Sequence, residues 1–258
     1  MSRPFVSCLM PTYNRGWRDP LTVGEAVYWF LRQDYTGPRE LVVLVDAPGA
    51  FLHLELSEPL PVGCDVRVVN YNRRFPNLAE KFDECVKLAA GSILMPWEDD
   101  DISLPHRISQ TVEELEHCHY WNPKGAFFQN GKAAPLTLCS PDSVHHNASG
   151  FTRMAWATVG GYAATAGWGN KQDAWFDREL RRKVDTREGR LTPERMSYVY
   201  RWGFSDKFLH LSGHSNPDAG WKAEPEPSGD TVVIPAMLRD YEAEANSYVQ
   251  DGRRKRAE

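Results

Sequence analysis

Short apolar runs alternate with helical stripes of apolar residues along the first 118 residues, and this alternation constrains the fold most. Four runs have the length and composition of β-strands: 5–10, 41–45, 65–69 and 92–97. Three stretches repeat apolar residues at helical intervals: 22–31, 78–89 and 105–118. The run LVVLV at 41–45 is apolar on both faces, as in a strand that helices cover on both sides. We therefore predict the α/β class, with a mostly parallel sheet flanked by helices.

The second half of the chain is less regular, but it carries no sign of a separate domain. We predict extended segments at 126–129 and 197–202. A length of 258 residues suits one α/β domain. We therefore predict a single domain over 1–258. Its parts are a first half, a second half that forms a small subregion, and a C-terminal helix with a basic tail: 1–118, 119–235 and 236–258.

Composition excludes several classes of protein. Hydrophobic residues make up 41% and charged residues 25%, which is ordinary for a folded chain and too apolar for a disordered one. The formal net charge is -5, so the surface is not generally cationic. The five cysteines lack the close spacing of a zinc knuckle, which favours a reducing compartment. Because no run approaches the roughly 20 apolar residues of a membrane span and no signal peptide is recognisable, we expect a soluble, cytoplasmic protein.

Polar clusters follow three of the predicted strands. They are 12–15 after the first strand, Asp46 after the second and 98–101 after the fourth. Parallel strands end at the same edge of a sheet, and ligands bind beyond that edge. The sequence therefore predicts that these three clusters converge on one site.

The acidic run Glu98-Asp99-Asp100-Asp101 is the strongest functional signal. Four neighbouring carboxylates repel each other, and a bound cation relieves that repulsion. Hard divalent ions prefer carboxylate oxygens and leave positions for water and phosphate. In extended backbone Glu98 and Asp100 point to one side and Asp99 and Asp101 to the other, so one side could hold the metal. A solvated acidic turn is the alternative interpretation, but the buried strand before the run and the neighbouring clusters favour a metal site.

Several short motifs occur in a fixed order along the chain. They are Pro11-Thr12-Tyr13-Asn14-Arg15, Val45-Asp46, 77–81, Gly91-Ser92-Ile93-Leu94, 98–105, Val159-Gly160-Gly161-Tyr162 and Gln172-Asp173. In this order and spacing they resemble the family-two glycosyltransferases of the GT-A fold, over about residues 5–215. The resemblance implies a Rossmann-like GT-A sheet with a small acceptor-side subregion. Residues 1–118 would form the nucleotide-sugar-binding half and 119–235 the acceptor half.

The resemblance also implies a role for each matched residue. The residues expected to border the donor are Pro11, Thr12, Tyr13, Arg15, Asp46, Lys81, Glu98 and Asp99. Asp46 is expected to accept a hydrogen bond from the base, and Asp100 to bind the Mn²⁺ or Mg²⁺ that bridges the two phosphates. The chain departs from the family at Glu98, where Asp is usual, and at Ala47-Pro48, where Asp-Gly is common. These departures leave the preference for uridine open.

A late histidine completes the metal site in some GT-A enzymes, and this chain offers two candidates. His210 follows the apolar residues Phe208-Leu209, which would fix its position, so we predict that His210 binds the metal. His214 is the alternative. A hydrogen-bonded histidine without a metal is an equally good interpretation of either residue.

Asp173 is the candidate catalytic base. It begins a predicted helix, 173–184, whose positive end favours an ionised carboxylate. From the residues alone an N-cap role is the better interpretation, and the family match favours the base. On the acceptor side we expect Gln172 and the glycine-flanked Trp168, the latter by stacking.

We therefore predict a metal-dependent glycosyltransferase that uses a nucleoside-diphosphate sugar, foremost a UDP-sugar. The resemblance implies inversion by single displacement, with Asp173 as base. The acceptor is a carbohydrate or a modified base of DNA; basic residues at 178–183 and 253–256 allow the latter, and the net charge of -5 does not encourage it. A nucleotidyltransferase and a non-catalytic nucleotide-sugar-binding module are the other candidates. The absence of an early glycine-rich phosphate loop with a lysine counts against the nucleotidyltransferase.

Overall fold

A computed structural model describes residues 3–13, 20–56, 58–131, 134–140, 145–165, 172–202, 228–233 and 239–257. The strands, in chain order, are β1 Val6–Thr12, β2 Arg39–Val45, β3 Ala50–Glu55, β4 Cys64–Asn70, β5 Ile93–Pro96, β6 Ile102–Ser103, β7 Tyr120–Trp121, β8 Phe127–Asn130, β9 Thr137–Leu138, β10 Gly150–Thr152, β11 Thr186–Arg187, β12 Tyr198–Trp202 and β13 Ser228–Val233. The α-helices are α1 Pro20–Leu31, α2 Leu78–Leu88, α3 Arg107–Leu115, α4 Arg153–Val159, α5 Gln172–Lys183 and α6 Tyr241–Ala257.

The largest sheet in the described part of the chain has seven strands, in the order β11-β7-β10-β5-β1-β2-β4. Its core is parallel: β1 lies between β5 and β2, and β2 pairs with β4. The strand β10 is antiparallel to both β5 and β7. The predicted α/β fold, with a mostly parallel sheet flanked by helices, is confirmed. The division of the chain into halves stays a prediction.

Alternate residues of β1 face opposite sides of this sheet, and both sides are buried. Cys8 and Met10 belong to the same buried cluster as Phe30 of α1. Leu9 belongs to a second cluster, together with Phe82 of α2. Because both faces of the sheet are covered, residues 8–10 of β1 and 41–45 of β2 are all apolar, which is why the sequence shows continuous apolar runs there.

Among the described residues, two smaller sheets accompany the large one. One has the order β6-β12-β8-β9, and we refer to it as the small sheet. The other pairs β3 with β13 in parallel. Residues 97–101 connect β5 of the large sheet directly to β6 of the small sheet. The acidic run therefore lies at the junction of two sheets.

All five cysteines fall within the described ranges and carry free thiols. Burial raises the pKa of the Cys85 thiol to about 12, so this side chain is an unreactive part of the core. Across the described ranges, none of the helices combines the length and the apolar character needed to cross a bilayer.

Gly91 allows β5 to approach the start of β1. Its N–H donates to Ser7 Oγ at 2.7 Å, and the next N–H, of Ser92, donates to the Phe5 carbonyl oxygen at 2.9 Å. A Cβ at position 91 would lie 2.6 Å from the Ser7 nitrogen and 2.8 Å from the Phe5 oxygen. Both are backbone atoms, one in β1 and one in the residue directly before it. Neither can rotate away to make room for the added Cβ.

Gly91→Ala is therefore expected to lower the free energy of unfolding by about 1–3 kcal/mol, the usual cost of overpacking. Urea denaturation measures this loss. Gly189→Ala is the matched control: no atom lies within 4 Å of its added Cβ, so it should change stability by less than about 0.5 kcal/mol. Equal denaturation midpoints for the two variants would contradict the close approach.

Candidate functional site

Lys81 joins the ends of two neighbouring strands, and Thr12 links them to a third. Its Nζ donates to the carbonyl oxygen of Thr12 at 2.5 Å and to Asp46 Oδ1 at 2.5 Å. The Thr12 hydroxyl donates to Asp99 Oδ2. Because Thr12 ends β1, Asp46 follows β2 and Asp99 follows β5, the three polar clusters meet at one edge of the sheet. The sequence predicted this convergence from the strand ends alone.

Lys81 and Asp46 form a buried ion pair beneath that edge, with 4% and 3% of their surfaces exposed. Asp46 Oδ2 also accepts a hydrogen bond from the Phe75 N–H at 3.0 Å. Burial lowers the pKa of Lys81, and the Asp46 carboxylate opposes that shift. Both oxygens of Asp46 thus have protein partners. Its contact with a base, and that of Lys81 with a donor, stay predictions.

The carboxylates of Glu98, Asp100 and Asp101 form a cluster, which we call the acidic cluster. One oxygen of each lies within 4.8 Å of one oxygen of the other two. The expected alternation, with Asp101 on the same side as Asp99, is wrong. Strand geometry ends at Pro96, and the bend after it turns Asp101 toward Glu98 and Asp100 while Asp99 faces Thr12.

The strand β12 fixes the shape of this bend. The Arg201 N–H donates to Asp101 Oδ1 at 2.8 Å, and the Tyr198 hydroxyl donates to Asp101 Oδ2. The Arg201 guanidinium is 1% exposed and donates through Nε to the carbonyl oxygen of Asp100. Its Nη1 donates to Glu25 Oε2 at 2.7 Å. Burial alone would lower the pKa of Arg201, but Glu25 and Tyr241 together outweigh it and the pKa is raised, so Arg201 is a permanent cation behind the bend.

The electrostatics of the acidic cluster suit a divalent cation. Burial raises the pKa of Glu98 well above its usual value, and repulsion from Asp100 and Asp101 raises it further. A cation among these oxygens would reverse both effects. Clustered carboxylates are the donor set that Mg²⁺ and Mn²⁺ prefer. The residues present therefore fit the metal that the resemblance implies.

Asp173 lies near this cluster, in the first turn of α5. Its charge is among those that raise the pKa of Glu98, which places the two carboxylates within electrostatic reach. Asp173 is exposed, and its Oδ1 accepts a hydrogen bond from the Ala174 N–H at 2.8 Å. The neighbouring Gln172 accepts a hydrogen bond from the Ala79 N–H at 2.9 Å and so ties α5 to α2. The acceptor-side role of Gln172 stays a prediction.

The start of α5 rests on a stack of aromatic rings. Phe176 stacks on Tyr162 with ring centroids 3.8 Å apart, and Tyr162 stacks on Phe82 at 4.9 Å. The Tyr162 hydroxyl lies 2.8 Å from His146 Nε2. Burial lowers the pKa of His146, and the charge of Asp173 opposes that shift. The stack therefore fixes the helix turn that carries Asp173.

Asp83 holds the glycine turn that leads into this stack, and sequence reasoning missed it. Its carboxylate accepts hydrogen bonds from the N–H groups of Tyr162 at 2.7 Å and Ala163 at 2.6 Å, and from Trp156 Nε1 at 2.8 Å. Gly161 has φ +80°, and a Cβ there would lie 2.7 Å from Asp83 Oδ1. The double glycine in the sequence was the signal for such a turn.

A second residue that sequence reasoning missed lies beside Tyr13. The guanidinium carbon of Arg74 is 3.8 Å from the Tyr13 ring centroid. Arg73, its neighbour, lies 5.1 Å from the Phe75 centroid. Both arginines belong to the loop after β4, which brings positive charge to the edge where β1 and β2 end. Two adjacent arginines directly after a predicted strand were the signal. The predicted site residues Arg15, Trp168 and His210, and the alternative His214, lie outside the described residues.

Comparisons with known proteins identify the fold. No family model matches the chain, and no curated protein matches it. Similar solved structures include S. aureus TarS 1-349, with 13% sequence identity and a TM-score of 0.55 over 78% of this chain. They also include S. aureus TarS 1-349 in complex with UDP, with 12% sequence identity and a TM-score of 0.55. The complex of TarS 1-349 with UDP-GlcNAc has 10% identity and a TM-score of 0.52.

The match covers only part of the TarS 1-349 chain. The covered share is 60% in the structures without ligand and with UDP, and 58% in the structure with UDP-GlcNAc. At such low identity the match establishes the fold alone. It agrees with the architecture predicted from the alternating strands and helices.

The basic residues of α5 have acidic partners on the same helix, although several of them are exposed. Arg181 pairs with Asp177 at 2.6 Å, and Glu179 pairs with Arg182 at 2.7 Å and Lys183 at 3.6 Å. These ion pairs offset much of the positive charge that would attract a nucleic acid.

Glu98→Gln is expected to stabilise the metal-free protein increasingly as the pH rises. Because the folded state raises the pKa of Glu98 above 4.5, folding takes up a proton between that value and the raised one. The stability that Glu98 contributes is therefore intact below pH 4.5 and is lost as the pH rises through the folded pKa. Glutamine lacks this titration. Denaturation in EDTA, from about pH 5 to about pH 8, measures the difference.

The exposed Glu116, at the end of α3, provides the control. Glu116→Gln should follow the wild-type pH profile. If the difference in stability between Glu98→Gln and wild type stayed constant with pH, Glu98 would not have the raised pKa described above.

Proposed function

We propose that this chain is a metal-dependent glycosyltransferase, which moves a sugar from a nucleoside-diphosphate donor to an acceptor hydroxyl. The observation that carries the proposal is the acidic cluster at the edge where β1, β2 and β5 end. TarS, a GT-A-like glycosyltransferase whose structures include UDP and UDP-GlcNAc complexes, has the same fold. This similarity supports the proposal and favours a UDP-sugar as the donor.

On the donor side, Asp100 with Glu98 would hold Mn²⁺ or Mg²⁺, which when bound neutralises charge on the leaving diphosphate. Asp101 has a different task, because Tyr198 and Arg201 occupy its oxygens: it fixes the bend that presents the other two. The remaining donor contacts that we propose are Pro11, Thr12, Tyr13, Arg15, Asp46, Lys81 and Asp99. Arg74 joins them because it lies on Tyr13.

On the acceptor side, Asp173 would act as general base. Its carboxylate takes the proton of the acceptor hydroxyl while that oxygen forms a bond to the anomeric carbon. The bond from the anomeric carbon to the diphosphate oxygen breaks in the same step, so configuration inverts and the diphosphate leaves with the electron pair. Its place in the first turn of α5 supports this role, because the positive end of a helix favours the ionised form that accepts the proton.

Asp100→Asn is expected to weaken Mn²⁺-dependent binding of UDP by at least about 10-fold. Substituting a residue that only hydrogen-bonds to a metal ligand already causes a loss of this size. Calorimetric titration with and without Mn²⁺ measures the affinity. Asp65→Asn removes an exposed carboxylate of β4 and should leave it unchanged. Equal affinities in Asp100→Asn and wild type would remove Asp100 from the metal site. If wild type bound no UDP, the donor assignment would be wrong.

Asp173→Asn is expected to slow transfer about 10²- to 10⁴-fold, the usual contribution of a general base, and to leave the affinity for UDP and Mn²⁺ unchanged. With water as the acceptor, release of UDP from a panel of UDP-sugars measures the rate. Asp185→Asn, an exposed carboxylate just after the same helix, is the control. Full turnover in Asp173→Asn would rule out the base. Pyrophosphate release from UTP by the wild type would indicate a nucleotidyltransferase instead.

A further inference from the structure

Aromatic rings cover one face of the small sheet. We call this the aromatic face: Tyr198, Tyr200 and Trp202 of β12, Phe128 of β8, and His145. The three residues of β12 alternate with Val199 and Arg201, so they project to the same side of the sheet. Phe128 is paired with Tyr200 in register and lies on that side too.

Within the aromatic face, Tyr198 is buried in a small cluster with Ala126 and Ala148, and Tyr200 packs against that cluster. On the opposite side of the same two strands, Val199 and Phe127 are fully buried and Arg201 is 1% exposed. By contrast, Tyr200, Trp202, Phe128 and His145 are all partly exposed.

The rings of the aromatic face form a continuous surface. Tyr200 lies at its centre, with ring centroids 6.1 Å from Phe128, 6.0 Å from Trp202 and 4.8 Å from His145. Aromatic rings at such spacings are held by their neighbours. They offer a preformed surface to a flat ligand.

The aromatic face begins at the acidic cluster. The Tyr198 hydroxyl donates a hydrogen bond to Asp101, and residues 97–101 lead directly into β6, which pairs with β12. Burial raises the pKa of Tyr200, and the charges of Asp101, Asp100 and Glu98 raise it further, so this ring also lies near the cluster. The donor edge of the large sheet and the aromatic face of the small sheet therefore meet at the acidic cluster.

The charge on this side of the small sheet is negative among the residues that the structure describes. The acidic cluster lies at one end. Burial lowers the pKa of His145 to about 4, so it is neutral at physiological pH. Arg107 approaches the Tyr198 ring from the core, at 5.3 Å, but is 1% exposed and cannot reach a ligand. A bound donor diphosphate would add further negative charge.

We propose that the aromatic face binds the acceptor and that the acceptor is a neutral carbohydrate. This inference rests on the proposed glycosyltransferase function, which it extends to the second substrate. The negative ring faces suit the weakly positive C–H face of a pyranose. A polyanion such as DNA would be repelled by the acidic cluster and by the donor diphosphate.

The test uses the full chain loaded with UDP and Mn²⁺. Its probes are an array of immobilised neutral and anionic oligosaccharides and a duplex oligonucleotide that contains 5-hydroxymethylcytosine. Trp202→Leu and Tyr200→Leu remove rings from the face, and Trp202→Phe keeps one. Phe51→Leu is the control, because this aromatic side chain is 54% exposed on a different sheet. Calorimetry of UDP with Mn²⁺ checks folding of every variant and tests the donor site separately.

We expect the wild type to retain neutral oligosaccharides, and Trp202→Leu and Tyr200→Leu to weaken this retention about 3- to 10-fold, as for loss of one aromatic contact. Trp202→Phe should retain more than Trp202→Leu because it keeps one ring, Phe51→Leu should bind like wild type, and all variants should bind UDP equally. Three results would overturn the inference. The wild type could retain no neutral oligosaccharide, both leucine variants could retain as much as wild type, or the wild type could prefer the oligonucleotide. Loss of UDP binding in the wild type would instead overturn the proposed donor site, whereas ring-dependent retention of neutral oligosaccharides without UDP would still support the aromatic face.

Discussion

The buried amine of Lys81 is the interaction on which the arrangement of the site depends. It contacts the Thr12 carbonyl oxygen and the Asp46 carboxylate where β1 and β2 end. Asp46 in turn accepts a hydrogen bond from the Phe75 N–H. Removing one member of a buried ion pair typically costs about 3–5 kcal/mol, because the other charge stays buried without its partner. One side chain of α2 therefore fixes two strand ends and the loop after β4, and through Thr12 it orients Asp99.

The acidic run connects two sheets, and contacts with both of them constrain its backbone. It leaves the large sheet at Pro96 and enters the small sheet at Ile102, and in between Asp101 accepts two hydrogen bonds from β12. The buried cation of Arg201 lies against the Asp100 carbonyl oxygen, on the core side of the bend. Because the backbone is held from that side, the carboxylates of Glu98 and Asp100 can stay close together despite their repulsion. The geometry suited to a cation is therefore supplied by packing rather than by the acids themselves.

Local patterns in the sequence predicted the fold well. The strands were visible because both faces of β1 and β2 are buried, which leaves continuous apolar runs. Contacts between distant segments were not visible. Nothing near Asp46 indicates that Lys81, 35 residues later, occupies its carboxylate. Likewise, the turn of Asp101 depends on β12, 100 residues away. Strand alternation gave the wrong side for Asp101 because it applies only while the backbone stays extended.

The two kinds of carboxylate in the site occupy opposite environments, and their chemistry follows from this. Glu98 lies among other acids and has a raised pKa, so a cation in place of its proton would stabilise its carboxylate. Asp173 is exposed in the first turn of α5, where the helix favours negative charge. A carboxylate that must repeatedly accept and release a proton needs access to water. The fold provides this separation by building the acidic cluster on the strand ends and Asp173 on a helix supported by the Tyr162 stack.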